Sequence, residues 1–195
     1  MSKILDFYLS FTSPFSYLAQ TQLAALAKRT ECIITYHLLD HRKLFELASN
    51  PGPITVPAKL KYLGKDLRDW CRYYGVPFNL PSRFPINTRP ASAGALIAQK
   101  AGKLPEWIET VLRAYFVEDQ DISEQQVLGK VANKIGLDAQ AVNAAVSDPA
   151  ILQEVDAKTE AAANRGVFGV PTFFIGDDIY WGNDRLMFVE QALKR

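Results

Sequence analysis

The sequence predicts an α/β protein: one small mixed sheet flanked by helices and interrupted by an all-helical insertion. Three observations carry this. Residues 4–39 read as strand, helix and strand with short joints; residues 41–165 hold a succession of helical patterns; residues 172–194 return to two short strands and a helix. Separate N- and C-terminal domains would each have too few strands to bury a sheet, so the two ends of the chain are expected to share one. The expected division is residues 1–42 plus 166–195 for the sheet-bearing domain and 43–165 for the insertion.

Within residues 4–11, Phe7, Leu9 and Phe11 alternate with Tyr8 and Ser10. Apolar residues on both faces predict a central, buried strand. Ser13-Pro14 follows, a favoured N-cap and a favoured first helical residue. Tyr17, Leu18, Thr21, Leu23, Ala24, Leu26 and Ala27 then form a helical stripe ending in Lys28-Arg29, cations suited to a helix C-terminus. Residues 32–39 complete a βαβ unit, whose crossover should be right-handed. In the insertion, residues 59–74 read as helix stopped by Gly75-Val76-Pro77, and residues 80–90, with Pro81, Pro85 and Pro90, as loop. Helices are expected over 91–100, 105–116, 124–135, 138–146 and 149–165. Ser123 ahead of Glu124-Gln125-Gln126 reads as a capping box, and Gly136 as a stop. Residues 172–175 and 179–181 flank Gly176-Asp177-Asp178 as a hairpin, and Gly182-Asn183-Asp184 caps a last helix over 185–194.

At 195 residues the chain is one large domain or one interrupted by an insertion, long enough to hide about 70% of its unfolded surface. Lys plus Arg is 22 and Asp plus Glu is 21, a net charge of +1. That balance offers no electrostatic footprint for nucleic acid or an anionic membrane. No apolar run approaches the about 18 residues of a membrane span, and residues 4–11, broken by Asp6 and Ser10, make a poor signal peptide. The expected location is the cytoplasm. Cys32 and Cys71 form no Cys-x-x-Cys pair, which argues against a disulfide scaffold, a zinc ribbon and a dithiol redox site. His37 and His41 are four apart, but His37 sits on a strand, and no metal site is expected. Asp177 and Asp178 read as turn residues, not an acid–base pair.

Three motifs bear chemistry. Phe11-Thr12-Ser13-Pro14-Phe15-Ser16-Tyr17 lies at a strand-to-helix junction, where ligands of α/β sheets collect and helix N–H groups favour an anion. Ser13 either simply caps the helix or donates a hydrogen bond to a bound thiolate. In Phe168-Gly169-Val170-Pro171-Thr172, Pro171 either starts an edge strand in trans or takes a cis bond that offers the Val170 N–H and C=O to an extended peptide. In Trp181-Gly182-Asn183-Asp184-Arg185-Leu186, Asn183 or Asp184 either caps a helix or holds an amino acid head group, helix N–H groups taking its carboxylate and Asp184 its ammonium.

Taken in order, these motifs resemble the thioredoxin fold of the DsbA type. There the helix start carries Cys-x-x-Cys; here it reads Ser13-Pro14-Phe15-Ser16, so disulfide exchange by this site is closed. The serine version resembles the kappa-class glutathione transferases and the bacterial 2-hydroxychromene-2-carboxylate isomerases over essentially the whole chain. The Trp-Gly-Asn-Asp-Arg-Leu run and the short length look more like the isomerases.

The resemblance implies glutathione as cofactor, a small aromatic carboxylate as substrate and a homodimer. It implies that Ser13 hydrogen-bonds the glutathione sulfur and that Val170, ahead of a cis Pro171, pairs with the cysteinyl part. Asn183 and Asp184 would hold the γ-glutamyl end, with Asn50 and Lys59 near the tripeptide and Lys59 at its glycyl carboxylate. The implied activity is reversible thiolate addition in naphthalene-type aromatic catabolism, with a kappa-class transferase or peroxidase, or a non-enzymatic binding protein, as alternatives. Arg83, Asn87 and Arg89 are candidates for the substrate carboxylate, and Phe11, Phe15 and Trp181 for an apolar wall.

Overall fold

Strand β1 (Ile4–Leu9) occupies the interior of a four-stranded sheet in the computed structural model, which describes residues 3–195. The order is β2-β1-β3-β4. β1 runs parallel to β2 (Ile33–Leu38) and antiparallel to β3 (Thr172–Ile175), with Phe7 opposite both Tyr36 and Phe173. β4 (Asp178–Trp181) pairs antiparallel with β3 at the outer edge. The two ends of the chain therefore build one sheet, as the patterning requires.

The period of two explains why β1 is central. Leu5, Phe7 and Leu9 are fully buried on one face, against α1 (Pro14–Thr30) and α9 (Leu186–Leu193), and Phe7 stacks on Phe173 at 5.0 Å. Tyr8 faces the other way, into a smaller cluster with Leu39, Leu44, Ala162, Val167, Val170 and Phe174. Each large apolar side chain so buried stabilises the fold by about 1.5–3 kcal/mol, and a strand covered on both faces gains this from both sets of side chains. Asp6, on the same strand, is accommodated by pairing: His37 and Arg165 bond its two oxygens at 2.9 and 2.8 Å. Burial pushes its carboxyl up, but hydrogen bonds from His37 and Arg165 outweigh this and leave it below the usual carboxylate range.

The insertion begins with a short helix the sequence did not announce, α2 (His41–Leu47), capped by Asp40 Oδ1 on the Lys43 N–H at 3.1 Å. Seven residues are too few for a helical stripe to stand out. Then come α3 (Pro57–Tyr74), stopped at Gly75 with φ +66°, α4 (Arg89–Lys100), α5 (Leu104–Phe116), α6 (Gln125–Lys134), α7 (Ala139–Ala145) and α8 (Pro149–Asn164). α8 lies against α2 and the second face of the sheet. α1 packs on the sheet and also touches α3 and α5, so one continuous core joins sheet and insertion.

Two expected caps are not formed. Ser123 turns its hydroxyl to Asp121 Oδ1 at 2.5 Å, and α6 starts after Glu124 without a side-chain cap. The last helix is preceded by a single 3₁₀ turn, Asn183–Arg185, and neither Asn183 nor Asp184 caps it. No helix among the described residues is long and apolar enough to cross a membrane.

At the α4–α5 contact a glycine makes room for a large ring. The Trp107 indole, fully buried, donates to Ala91 O at 3.1 Å and lies directly over Gly94, where a Cβ would overlap the ring. Gly94→Ala is expected to destabilise the chain by about 1–3 kcal/mol in urea unfolding while leaving its far-ultraviolet dichroism intact.

Candidate active site

The loop after β1 delivers Ser13 to the start of α1. Ser13 is an N-cap by geometry, with φ −91° and ψ 110°, and its Oγ accepts the Ser16 N–H at 3.1 Å. The same hydroxyl donates to Val170 O at 3.3 Å. Capping uses a lone pair and donation uses the proton, so one hydroxyl does both. A bound anion would compete with Val170 O for that proton, not with the cap. Ser16, at the second position of the Cys-x-x-Cys pattern, is fully buried and accepts the Ser10 N–H. Both cysteines lie elsewhere, with free thiols.

Residues 168–171 face Ser13 across the ends of the strands, and the Val170–Pro171 bond is cis. All four carbonyls of this segment are engaged. Phe168 O accepts from Asn50 Nδ2 (2.9 Å), Gly169 O from Thr172 Oγ1 (2.7 Å), Val170 O from Ser13, and Pro171 O from the Gly182 N–H (2.9 Å). The Val170 N–H donates to no group among the described residues. Gly169 is required beneath Trp181, because a Cβ there would stand 2.8 Å from the indole Nε1.

Asn183 and Asp184 follow β4. Asn183 is buried, its carbonyl accepts from Tyr74 of α3 at 3.2 Å, and its Nδ2 lacks a partner among the described residues. An unpaired buried donor is costly, and a ligand acceptor would remove that cost. Asp184 is partly exposed and pairs with Arg185 at 3.4 Å. Gly182, at φ +110°, has no room for a Cβ beneath Asp184 Oδ1. Asp66 of α3 sits close enough for Asp184 to matter: burial first, and then the Asp184 charge, push its carboxyl above the usual range. Two carboxylates brought together in this way favour a cation between them. Sequence reasoning missed Asp66, since nothing in the pattern of α3 separates it from an ordinary solvated acid.

The remaining candidates divide. Asn50 is brought to the site through Phe168 O, and its Oδ1 accepts the Gly52 N–H at 3.0 Å. Lys59, in the first turn of α3, is exposed and makes no ion pair among the described residues. Phe15 is half-buried against the main core. The Arg89 guanidinium holds Asp156 at 2.6 and 3.0 Å and reaches Leu152 O, with Asp40 at 3.7 Å, because three helices meet there. Asn87 likewise serves the backbone, accepting the Arg89 N–H at 3.1 Å, and Arg83 pairs with Asp121. Phe11 is fully buried in the core and presents no wall to a ligand.

A model described as the DSBA-like thioredoxin domain matches residues 4–194. The chain belongs to that family. Within it, the chain is 37% identical to a 2-hydroxychromene-2-carboxylate isomerase of Sphingobium xenophagum over 99% of each chain. A solved structure of a 2-hydroxychromene-2-carboxylate isomerase, 35% identical, superposes with a TM-score of 0.89 over 97% of this chain and 94% of its own. Glutathione S-transferase kappa 1 of Homo sapiens is 26% identical over 75% of this chain and 71% of its own. This DSBA-like chain thus keeps the fold of its family with two serines at the positions where the fold can carry sulfur.

His41, the first residue of α2, stands beside the Ser13 loop, and burial pushes its imidazole down to about 4. The unfolded chain takes up a proton near 6.5 that the folded chain refuses until about 4, so stability falls as pH drops through that window. Urea unfolding of the wild type should show this decline between pH 6.5 and 4, and His41→Asn should flatten it.

Proposed function

We propose that the chain is a glutathione-dependent isomerase that interconverts 2-hydroxychromene-2-carboxylate and trans-o-hydroxybenzylidenepyruvate. The observation that carries this is the Ser13 hydroxyl, held between the Ser16 N–H and Val170 O, with the N–H of the same Val170 bonded to no group among the described residues. Relatedness to the isomerases over nearly the whole chain supports it.

The residues present fit glutathione. Val170 offers its N–H to the cysteinyl carbonyl, in the manner of an added strand. Asn183 Nδ2, the orphaned buried donor, suits the γ-glutamyl carboxylate, and Asp184 with Asp66 suits its ammonium. Asn50 and Lys59 flank the glycyl end, Lys59 supplying the charge opposite its carboxylate. Bound glutathione supplies a thiolate that adds reversibly to a conjugated double bond, frees it to rotate and then leaves unchanged.

The chain's own work is electrostatic. Ser13 turns its proton from Val170 O to the sulfur, and the N-terminal end of α1 adds a favourable partial charge, so the ionised thiol is held at neutral pH. Half-buried Phe15 and the exposed Trp181 and Phe168 rings, 5.0 Å apart, provide apolar surface for an aromatic substrate. The cytoplasm, where glutathione is kept reduced, is the compartment in which such an enzyme works. We assign it as a homodimer, with exposed Met187 and Phe188 of α9 among the apolar side chains available for the contact.

Ser13→Ala should lower kcat/KM for the isomerisation by at least about a hundredfold, the scale of losing one anion-stabilising donor. The lost cap should cost only about 1 kcal/mol of stability. Unchanged activity would remove Ser13 from the mechanism. Glutathione assayed before and after complete conversion should be equal in amount; stoichiometric consumption would make the chain a transferase instead. Light scattering should give twice the chain mass of 21.8 kDa.

A further inference from the structure

The loop that carries Ser13 is buried throughout: Ser10 and Phe11 are inaccessible, and Thr12 and Ser13 nearly so. Most of its polar groups are satisfied within the loop. The Thr12 N–H donates to Ser10 Oγ (3.4 Å), the Ser13 N–H to Ser10 O (3.1 Å), and the two hydroxyls of Ser10 and Thr12 meet at 3.2 Å. One further side-chain bond leaves the loop toward the insertion, Thr12 Oγ1 to His41 Nδ1 at 3.1 Å.

His41 is a firmly mounted partner. It opens α2, whose cap residue Asp40 donates its N–H to Thr159 Oγ1 of α8 at 3.0 Å and faces Arg89 of α4. The imidazole packs on Phe45 at 4.3 Å, and Phe45 in turn fills the space that a side chain at Gly52 would need. We propose that His41 is a positioning residue: through the Thr12 hydroxyl it fixes the loop so that the Ser13 proton points at the bound sulfur. This rests on the assignment of Ser13 as the thiol's donor.

The donor inventory gives the chain a direction. With the proton on Nε2, Nδ1 accepts from the Thr12 hydroxyl, Thr12 accepts from the Ser10 hydroxyl, and Ser10 accepts from the Thr12 N–H. This direction holds only while Nδ1 carries no proton, which is the case for a neutral imidazole protonated at Nε2. Burial keeps it so, and the nearby charges, Asp40 and across it Arg89, make no hydrogen bond to the ring. A buried chain of bonds from Nδ1 through Thr12 to Ser10 favours one loop geometry, which is what a donor aimed at a developing charge requires.

The test compares His41→Leu with His41→Asn, and Thr12→Val with Thr12→Ser. It reads the pKa of glutathione bound to the protein, from thiolate absorbance against pH, together with kcat and KM. His41→Leu and Thr12→Val should raise the bound thiol pKa by about half to one unit and lower kcat about five- to tenfold with KM little changed, the scale of one neutral hydrogen bond. His41→Asn and Thr12→Ser, which keep a partner, should stay near wild type. Should His41→Leu fail to fold, the near-isosteric Thr12→Val carries the comparison.

If Ser13→Ala raises the thiol pKa while folded Thr12→Val and His41→Leu leave it alone, the positioning role is wrong and the Ser13 assignment stands. A His41→Asn variant as impaired as His41→Leu would also overturn it. If wild type binds no glutathione, or Ser13→Ala has no effect on the thiol, the Ser13 assignment fails and this role with it.

Discussion

The hydrogen bond from Ser13 Oγ to Val170 O joins residues 157 apart in sequence, and the site is arranged around it. It ties the start of α1 to the segment entering β3, so the two separated parts of the sheet meet where a ligand would lie. The bond is weak in itself, about 0.5–1.5 kcal/mol net for a neutral pair. Its importance lies in being exchangeable. Val170 O can lose the proton to a stronger acceptor while the cap to the Ser16 N–H persists, so a bound anion is stabilised without dismantling the helix start. Two serines make the site a donor of hydrogen bonds and deprive it of redox chemistry, so any catalytic sulfur has to arrive with a ligand.

The insertion holds this arrangement in place. α3 reaches the segment after β4 through Tyr74 to Asn183 O, and Tyr17 of α1 bonds Pro77 O just beyond α3. The loop after α2 reaches Phe168 O through Asn50, while α2 itself reaches the Ser13 loop through His41. Arg89 locks α4 to α8 and to the start of α2, with its charge matched by Asp156. Removing one partner of such a pair would leave the other charge uncompensated. Preorganisation of the site is thus distributed over helices that contribute no reacting group.

The two ends of the site differ in electrical character. Near Ser13 the N-terminal end of α1 carries a partial positive charge that favours an anion. Near Asp184 a second carboxylate, Asp66, raises the local preference for a cation. A zwitterionic peptide with a thiolate in its middle matches that polarity along its length, whereas a neutral apolar ligand would satisfy neither end.

Much of the fold was legible because it is written locally. Alternation in β1, the Ser13-Pro14 cap, the left-handed stop at Gly75 and the turn at Gly176 all depend on residues within about four positions of one another. The motifs around Ser13, Val170 and Asn183 were visible for the same reason, and their order along the chain pointed to the family. What the local pattern left open was partnership. Ser123 looked like a cap but bonds Asp121, Arg89 looked free but is held by Asp156, and Phe11 looked available but is fully buried. By itself the sequence determined most of the elements, the single sheet and the absence of paired sulfurs, but not the short helix α2. Only the tertiary structure decided that the charge of Asp184 is felt at Asp66 and that His41 meets Thr12, because both depend on how segments distant in sequence pack.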